Sequence, residues 1–88
     1  MEYDDIVKTL SRQKSRLAGL KQVLRALDDG RAAAVVLADD ADDHIRRMVR
    51  GRCETAGVPC YEGPVMAELG MLCRLDVGTA VACVLKES

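Results

Sequence analysis

The stretch from Leu20 to Ala38 reads L-K-Q-V-L-R-A-L-D-D-G-R-A-A-A-V-V-L-A and changes its period once, at Gly30. Before the glycine, Leu20, Val23, Leu24 and Leu27 recur at i, i+3, i+4 and i+7, the stripe of an amphipathic helix. After it, Ala33 to Ala38 is unbroken apolar and β-branched at its centre, which fits a strand buried on both faces. Gly30 can stop the helix by taking positive φ, which costs glycine little. A strand covered on both sides, entered directly from a helix, calls for helices on either face of a sheet.

The flanking chain repeats this alternation. On the N-terminal side, Asp4 and Asp5 can cap a first helix running to about Gln13, with Ile6, Val7 and Leu10 on one face and a basic opposite face. A short extended piece, Arg16 to Ala18, then leads to Gly19. On the C-terminal side, Asp42 or Asp43 can cap a helix with Ile45, Met48, Val49, Cys53 and Ala56 inward; Arg46, Arg47, Arg50 and Arg52 are most simply its solvated face. Gly57 ends that helix, and Val58 to Tyr61 is a short strand with Pro59 near its beginning. After a turn at Glu62-Gly63-Pro64, Val65 to Cys73 is helical with Met66, Leu69 and Cys73 inward, and Ala80 to Leu85 is the last strand. The expected fold class is α/β: a three-layer α-β-α sandwich with a small mixed four-stranded sheet, formed by residues 1–88 as a single domain.

Composition sets bounds on this picture. Eighty-eight residues suffice for one modest core, and with no Phe or Trp that core must be built of Ala, Val and Leu in thin layers. The acidic start is unlike a signal peptide, and the longest apolar run, Ala32 to Ala38, is too short to span a bilayer. A soluble cytoplasmic chain is expected.

Charge is unevenly distributed. Ile6 to Leu27 holds Lys8, Arg12, Lys14, Arg16, Lys21 and Arg25 and no acid, whereas nine of the 14 acids follow residue 31, so the net charge of −1 and pI of about 5.7 conceal a basic end. An anionic partner is expected there.

Catalytic and metal chemistry find little support. The cysteines, Cys53, Cys60, Cys73 and Cys83, form no C-x-x-C pair, and the lone histidine, His44, is nine residues from the nearest of them. They read as small buried hydrophobes rather than disulfide partners, zinc ligands or nucleophiles. The run Asp39-Asp40-Ala41-Asp42-Asp43 has the carboxylates a hard cation wants, but lacks the glycine and later glutamate of an EF-hand loop, and helix capping accounts for most of it. Neither a carboxylate pair nor a nucleophile–base pair can be assembled by spacing, so a non-enzyme without cofactors is expected.

Gly19 and the residues after it carry the sharpest local chemistry. A helix N-terminus preceded by glycine offers unpaired N–H groups and a partial positive charge to a phosphate. Lys21 and Arg25 lie one turn apart with Gln22 beside them, opposite the apolar stripe, and all three side-chain types suit base edges. Periodicity alone leaves open whether this is a polar reading head or ordinary solvent-facing charge.

Three segments in order, L-A-G-L-K-Q-V-L-R-A-L-D-D-G-R-A-A-A-V-V-L-A-D-D-A-D (Leu17 to Asp42), C-E-T-A-G-V-P (Cys53 to Pro59) and E-L-G-M-L-C-R-L-D-V-G-T-A (Glu68 to Ala80), resemble the ribosomal L-seven-Ae / L-thirty-e family. The look is nearest to its small bacterial kink-turn-binding branch, and the match covers nearly the whole chain. The resemblance implies binding of kink-turn RNA, a helix–internal loop–helix bent at tandem sheared G·A pairs. By position, it implies that the backbone at Gly19 and the side chains of Lys21, Gln22 and Arg25 enter the widened groove at those pairs, with Leu20 among the RNA-binding residues. It also implies that Pro64, Val65, Met66 and Ala67 pack on extruded bases, with Asp42 nearby; Lys14 and Arg16, from the basic N-terminal stretch, are expected to add an auxiliary basic face. Ribosomal RNA, an mRNA leader and a larger ribonucleoprotein assembly are the partners it suggests; no membrane is among them.

The chain departs from the family pattern in places. Leu20 stands where small or hydroxyl residues are usual, Asp43 replaces a frequent proline, and Arg74 stands where glycine is common, which suggests a rearranged turn. The acidic C-terminal two-thirds is unlike a protein embedded in ribosomal RNA. A stacking single-strand binder would want exposed aromatics, and only Tyr3 and Tyr61 exist. The competing class is a protein-interaction module using the Arg46/Arg47/Arg50/Arg52 face.

Overall fold

A computed structural model describes residues 2–86. The order of elements is α1 (Tyr3–Leu10), β1 (Arg16–Ala18), α2 (Leu20–Asp28), β2 (Ala32–Leu37), α3 (Asp43–Ala56), β3 (Cys60–Glu62), α4 (Met66–Leu72) and β4 (Val81–Leu85). The strands form one sheet in the order β1-β4-β2-β3; β4 runs antiparallel to β1 and β2, while β2 and β3 are parallel. The mixed α-β-α sandwich read from the sequence is therefore the fold.

Strand alternation sorts the core into two layers. Ala34 and Val36 of β2, with Ala82 and Val84 of β4, pack against Ile6 and Leu10 of α1 and Leu69 of α4. Val35, Leu37, Val81 and Cys83 face the other way, toward Val23, Ala26 and Leu27 of α2 and Val49 and Cys53 of α3. Both faces of β2 are thus covered, as its unbroken apolar run requires. A register irregularity between Ala32 and Ala34 breaks strict alternation and turns Ala32 toward α2 and α3. Among the described residues no helix is long and apolar enough to cross a membrane.

Three local expectations need correction. The first helix begins at Tyr3 with Glu2 as an N-cap that makes no side-chain cap, so Asp4 and Asp5 lie inside its first turn, where they favour the positive helix end. It also ends at Leu10 rather than near Gln13. The Ser11 hydroxyl donates to the Lys8 carbonyl at 2.7 Å, satisfying the backbone without another α-turn, and a 3-10 turn follows at Gln13–Ser15. Ala56 is exposed, because Gly57 takes the left-handed conformation (φ 69°) and turns the chain so that Val58 packs on the α3 cluster instead.

Candidate nucleic-acid interface

The pairing register decides what meets at the end of the sheet. Ala18 pairs with Ala82, Leu37 with Val81, and Leu37 with Glu62. The C-terminal ends of β1, β2 and β3 therefore share one end of the sheet with the start of β4. The start of α2 and the loop from Gly63 both emerge there, three strand spacings or about 14 Å apart.

Gly19 is held at φ 100° and ψ 149°, a region that residues with a β-carbon avoid, and nothing lies within 4 Å of where its Cβ would stand. Its N–H donates to the Val81 carbonyl at 3.0 Å, and its own carbonyl receives the Val23 N–H at 3.1 Å to open the helix. Among the described residues no side chain caps α2, which leaves its first-turn N–H groups and partial positive charge for an outside acceptor. Lys21, Gln22 and Arg25 are all exposed, and none makes a hydrogen bond or ion pair with a described residue. Leu20 is half-buried against the α2–α3 core, so packing explains an apolar side chain at that position.

The second half of the surface is the loop into α4. Pro64 is buried and its carbonyl accepts from the Asp39 N–H at 2.8 Å, while the Met66 N–H donates to Asp40 Oδ1 at 2.7 Å. Met66 is half-buried on the α1–α4 core; Val65 and Ala67 are exposed. Pro64 and Met66 anchor the loop, and Val65 and Ala67 are the residues it presents. Val77, 71% exposed, lies on the segment that packs behind this loop and carries no signal in periodicity.

That packing depends on two glycines. A β-carbon on Gly70 would stand 2.2 Å from the Val77 carbonyl oxygen, and one on Gly78 would stand 3.1 Å from the Met66 carbonyl oxygen. The Thr79 N–H donates to Met66 O at 3.1 Å, and its buried hydroxyl donates to Val81 O at 3.0 Å. Asp40, Thr79 and Gly70 thus support the loop. Only the glycines in the third family-like segment hinted at this from sequence.

The arginine face of α3 is not simply solvated. Arg46 Nη2 meets Glu62 Oε1 at 2.8 Å, Arg50 Nε meets Oε2 at 3.0 Å with its Nη2 on the same oxygen, and Arg52 Nη1 meets Asp28 Oδ1 at 2.8 Å. Hydrogen bonds from Arg46 first, then Arg50, hold the Glu62 carboxyl below the usual glutamate range. Glu62 closes β3 immediately before Gly63, so the clasp fixes the root of the loop. Sequence could not pair residues 12 and 16 positions apart.

The remaining predicted residues divide in their placement. Asp42 is the N-cap of α3, its Oδ1 accepting from the His44 N–H at 2.8 Å. Lys14 is exposed on the 3-10 turn, and Arg16 is half-buried at the far end of β1, about 10 Å of extended chain from Gly19. Arg74 itself adopts the left-handed conformation (φ 58°) in the turn after α4. The two tyrosines contact each other, with ring centroids 5.8 Å apart. All four cysteines are free: Cys53, Cys73 and Cys83 are buried, and burial pushes the Cys83 thiol up to about 11.

A small α-β-α sandwich with a mixed four-stranded sheet carries a basic helix terminus and an apolar loop at one sheet end. The chain belongs to the ribosomal protein L7Ae/L30e/S12e/Gadd45 family, whose model matches residues 1–88. It is similar to an RNA-binding protein of Geobacillus sp. (strain WCH70), 36% identical over 86 residues that cover 98% of this chain and 100% of that one. It is also similar to the large ribosomal subunit protein eL30 of Aeropyrum pernix, 29% identical over 89 residues, 99% of this chain and 88% of that one. Among solved structures, the Giardia lamblia 15.5kD RNA binding protein superposes with a TM-score of 0.83 at 30% identity, covering 93% of this chain and 69% of its own.

Proposed function

We propose that this chain is a non-catalytic cytoplasmic RNA-binding protein that recognises and stabilises kink-turn RNA. The observation that carries the reading is the start of α2: a glycine at positive φ, a helix terminus whose N-cap residue offers no side chain, and three exposed polar side chains without partners among the described residues. Backbone N–H groups at such a terminus suit a phosphate, and Lys21, Arg25 and Gln22 suit guanine and adenine edges. An A-form groove hides those edges, whereas a bent, opened RNA presents them and leaves unstacked bases for Val65 and Ala67 to cover. Asp42 borders this surface less directly, and Lys14 and Arg16, toward the opposite end of β1, would reach only an RNA that extends past the α2 terminus. The names of the relatives, RNA-binding protein and ribosomal protein, point the same way.

The mechanism is capture of the bent conformer. Contacts made only with the bent RNA shift its equilibrium by their differential affinity and offset repulsion between approaching phosphates. The competing reading, an interaction module on the α3 arginines, is disfavoured by Arg46, Arg50 and Arg52 already being paired within the chain.

The test is a titration of the protein into a doubly labelled kink-turn RNA, following its end-to-end distance, beside the same RNA with Watson–Crick pairs in place of its G·A pairs. Folding of the first RNA alone is expected. Equal, salt-sensitive binding to both would reduce the surface to a generic basic face.

A further inference from the structure

A second surface lies between α1 and the C-terminal end of α4, whereas the loop described above enters α4 at its other end. Val7, Lys8, Ser11, Met71, Leu72 and Arg74 line a cleft there of about 420 Å³. None of the residues proposed for RNA is among them. Val7 and Leu72 are half-buried and form an apolar floor, and Met71, at 74% exposure, is the most exposed large hydrophobic side chain of the described residues. Lys8 and Arg74 flank it, both exposed and neither in an ion pair with a described residue; no acid lines the cleft.

Arg74 adds a separate observation. It occupies the left-handed region at φ 58°, where glycine would sit with less strain. Backbone strain at a side-chain-bearing residue is a pointer to use of that side chain. Here the side chain is a guanidinium at the rim of an apolar cleft.

We propose that the α1–α4 cleft docks an acidic amphipathic helix of a protein partner. Apolar side chains of the helix seat over Val7 and Leu72 under the adaptable thioether of Met71, and carboxylates pair with Lys8 and Arg74. Charge complementarity selects this occupant: the two cations reject a basic helix and fix the orientation of an acidic one. The cleft suits RNA poorly, because a phosphate backbone paired with Lys8 and Arg74 would leave Met71 and the apolar floor of Val7 and Leu72 uncovered. Sharing no residue with the proposed RNA surface, the cleft can be filled while RNA is bound, so the chain would tether an RNA to a protein.

The test uses the isotope-labelled full chain and two designed helical peptides with the same apolar pattern, one carrying glutamates and one lysines on its polar face. The glutamate peptide is expected to move the amide resonances of Val7, Lys8, Ser11, Met71, Leu72 and Arg74, and the lysine peptide is not. Lys8→Glu with Arg74→Glu should weaken the glutamate peptide by about tenfold or more and favour the lysine peptide. Arg74→Gly, which suits the backbone, should also weaken it while leaving the fold intact, separating lost contact from misfolding. The proposal is overturned if the glutamate peptide leaves these resonances unmoved or both peptides move them equally. Movement of the same resonances by kink-turn RNA, or by added unlabelled chain, would also overturn it by assigning the cleft to RNA or to a second copy.

Discussion

Gly19 and Thr79 donate to the same atom. The Val81 carbonyl oxygen receives the Gly19 N–H and the Thr79 hydroxyl, each at 3.0 Å. A carbonyl has two lone pairs, so both bonds are satisfied. Because the Thr79 N–H also reaches the Met66 carbonyl at 3.1 Å, one residue just before β4 ties the α2 terminus to the entry of α4. The spacing of the two surface elements is thus set at the entry to β4.

Thr79→Val removes one of those donors at nearly constant volume. Stability should fall by about 1 kcal/mol, read from the urea midpoint at unchanged slope. RNA affinity should fall with the salt dependence unaltered, since no phosphate contact is removed.

Gly19→Ala meets no atom within 4 Å, so any cost comes from the backbone at φ 100°. Strain of about 1–3 kcal/mol is expected in chemical unfolding. Distance measurements on the labelled RNA should show weaker capture, because relief of the strain moves the first-turn N–H groups.

Lys21→Ala combined with Arg25→Ala should leave stability within about 0.5 kcal/mol, both side chains being exposed and unpaired among the described residues. With about four phosphate contacts, wild-type affinity should drop roughly a hundredfold between 50 and 200 mM salt. The double variant should bind more weakly with a shallower salt slope. Unchanged affinity would remove α2 from the interface.

Glu62 gives a pH dependence of definite sign. Arg46 and then Arg50 lower its pKa on folding, so the unfolded chain holds the proton more tightly than the folded one. The clasp's contribution is full above the ordinary glutamate range and is lost as pH falls through the lowered folded value. Carbon-13 titration of the Glu62 carboxyl checks the direction. Glu62→Gln should flatten that part of the stability profile, and high salt should weaken the clasp.

Gly70→Ala should be the most damaging small substitution in α4. Its methyl group would stand 2.2 Å from the Val77 carbonyl oxygen and 2.9 Å from Gly78 Cα, so the backbone of that segment must move. A loss at or above the usual overpacking range of about 1–3 kcal/mol is expected on thermal unfolding. Resonances of Val77, Gly78 and Met66 should shift together.

Much of the fold was legible because its signals are local. The Leu20/Val23/Leu24/Leu27 stripe, the doubly buried run after Gly30 and the extended piece at Arg16 to Ala18 each declare themselves within a few residues, since side-chain period follows backbone geometry. The exposed row Lys21, Gln22 and Arg25 follows from the same period. Misreadings came where one local preference competed with another, as at Ser11, whose hydroxyl ends a helix that pattern alone would extend.

Tertiary structure decided the rest. The strand order β1-β4-β2-β3, the clasp of Arg46 and Arg50 on Glu62, the Asp40 bond to Met66 across 26 positions and the shared Val81 carbonyl all join residues distant in sequence. None repeats with a period. Their partners are chosen by strand register, and register is fixed by burying both faces of the sheet at once, a condition that belongs to the whole chain and to no segment of it.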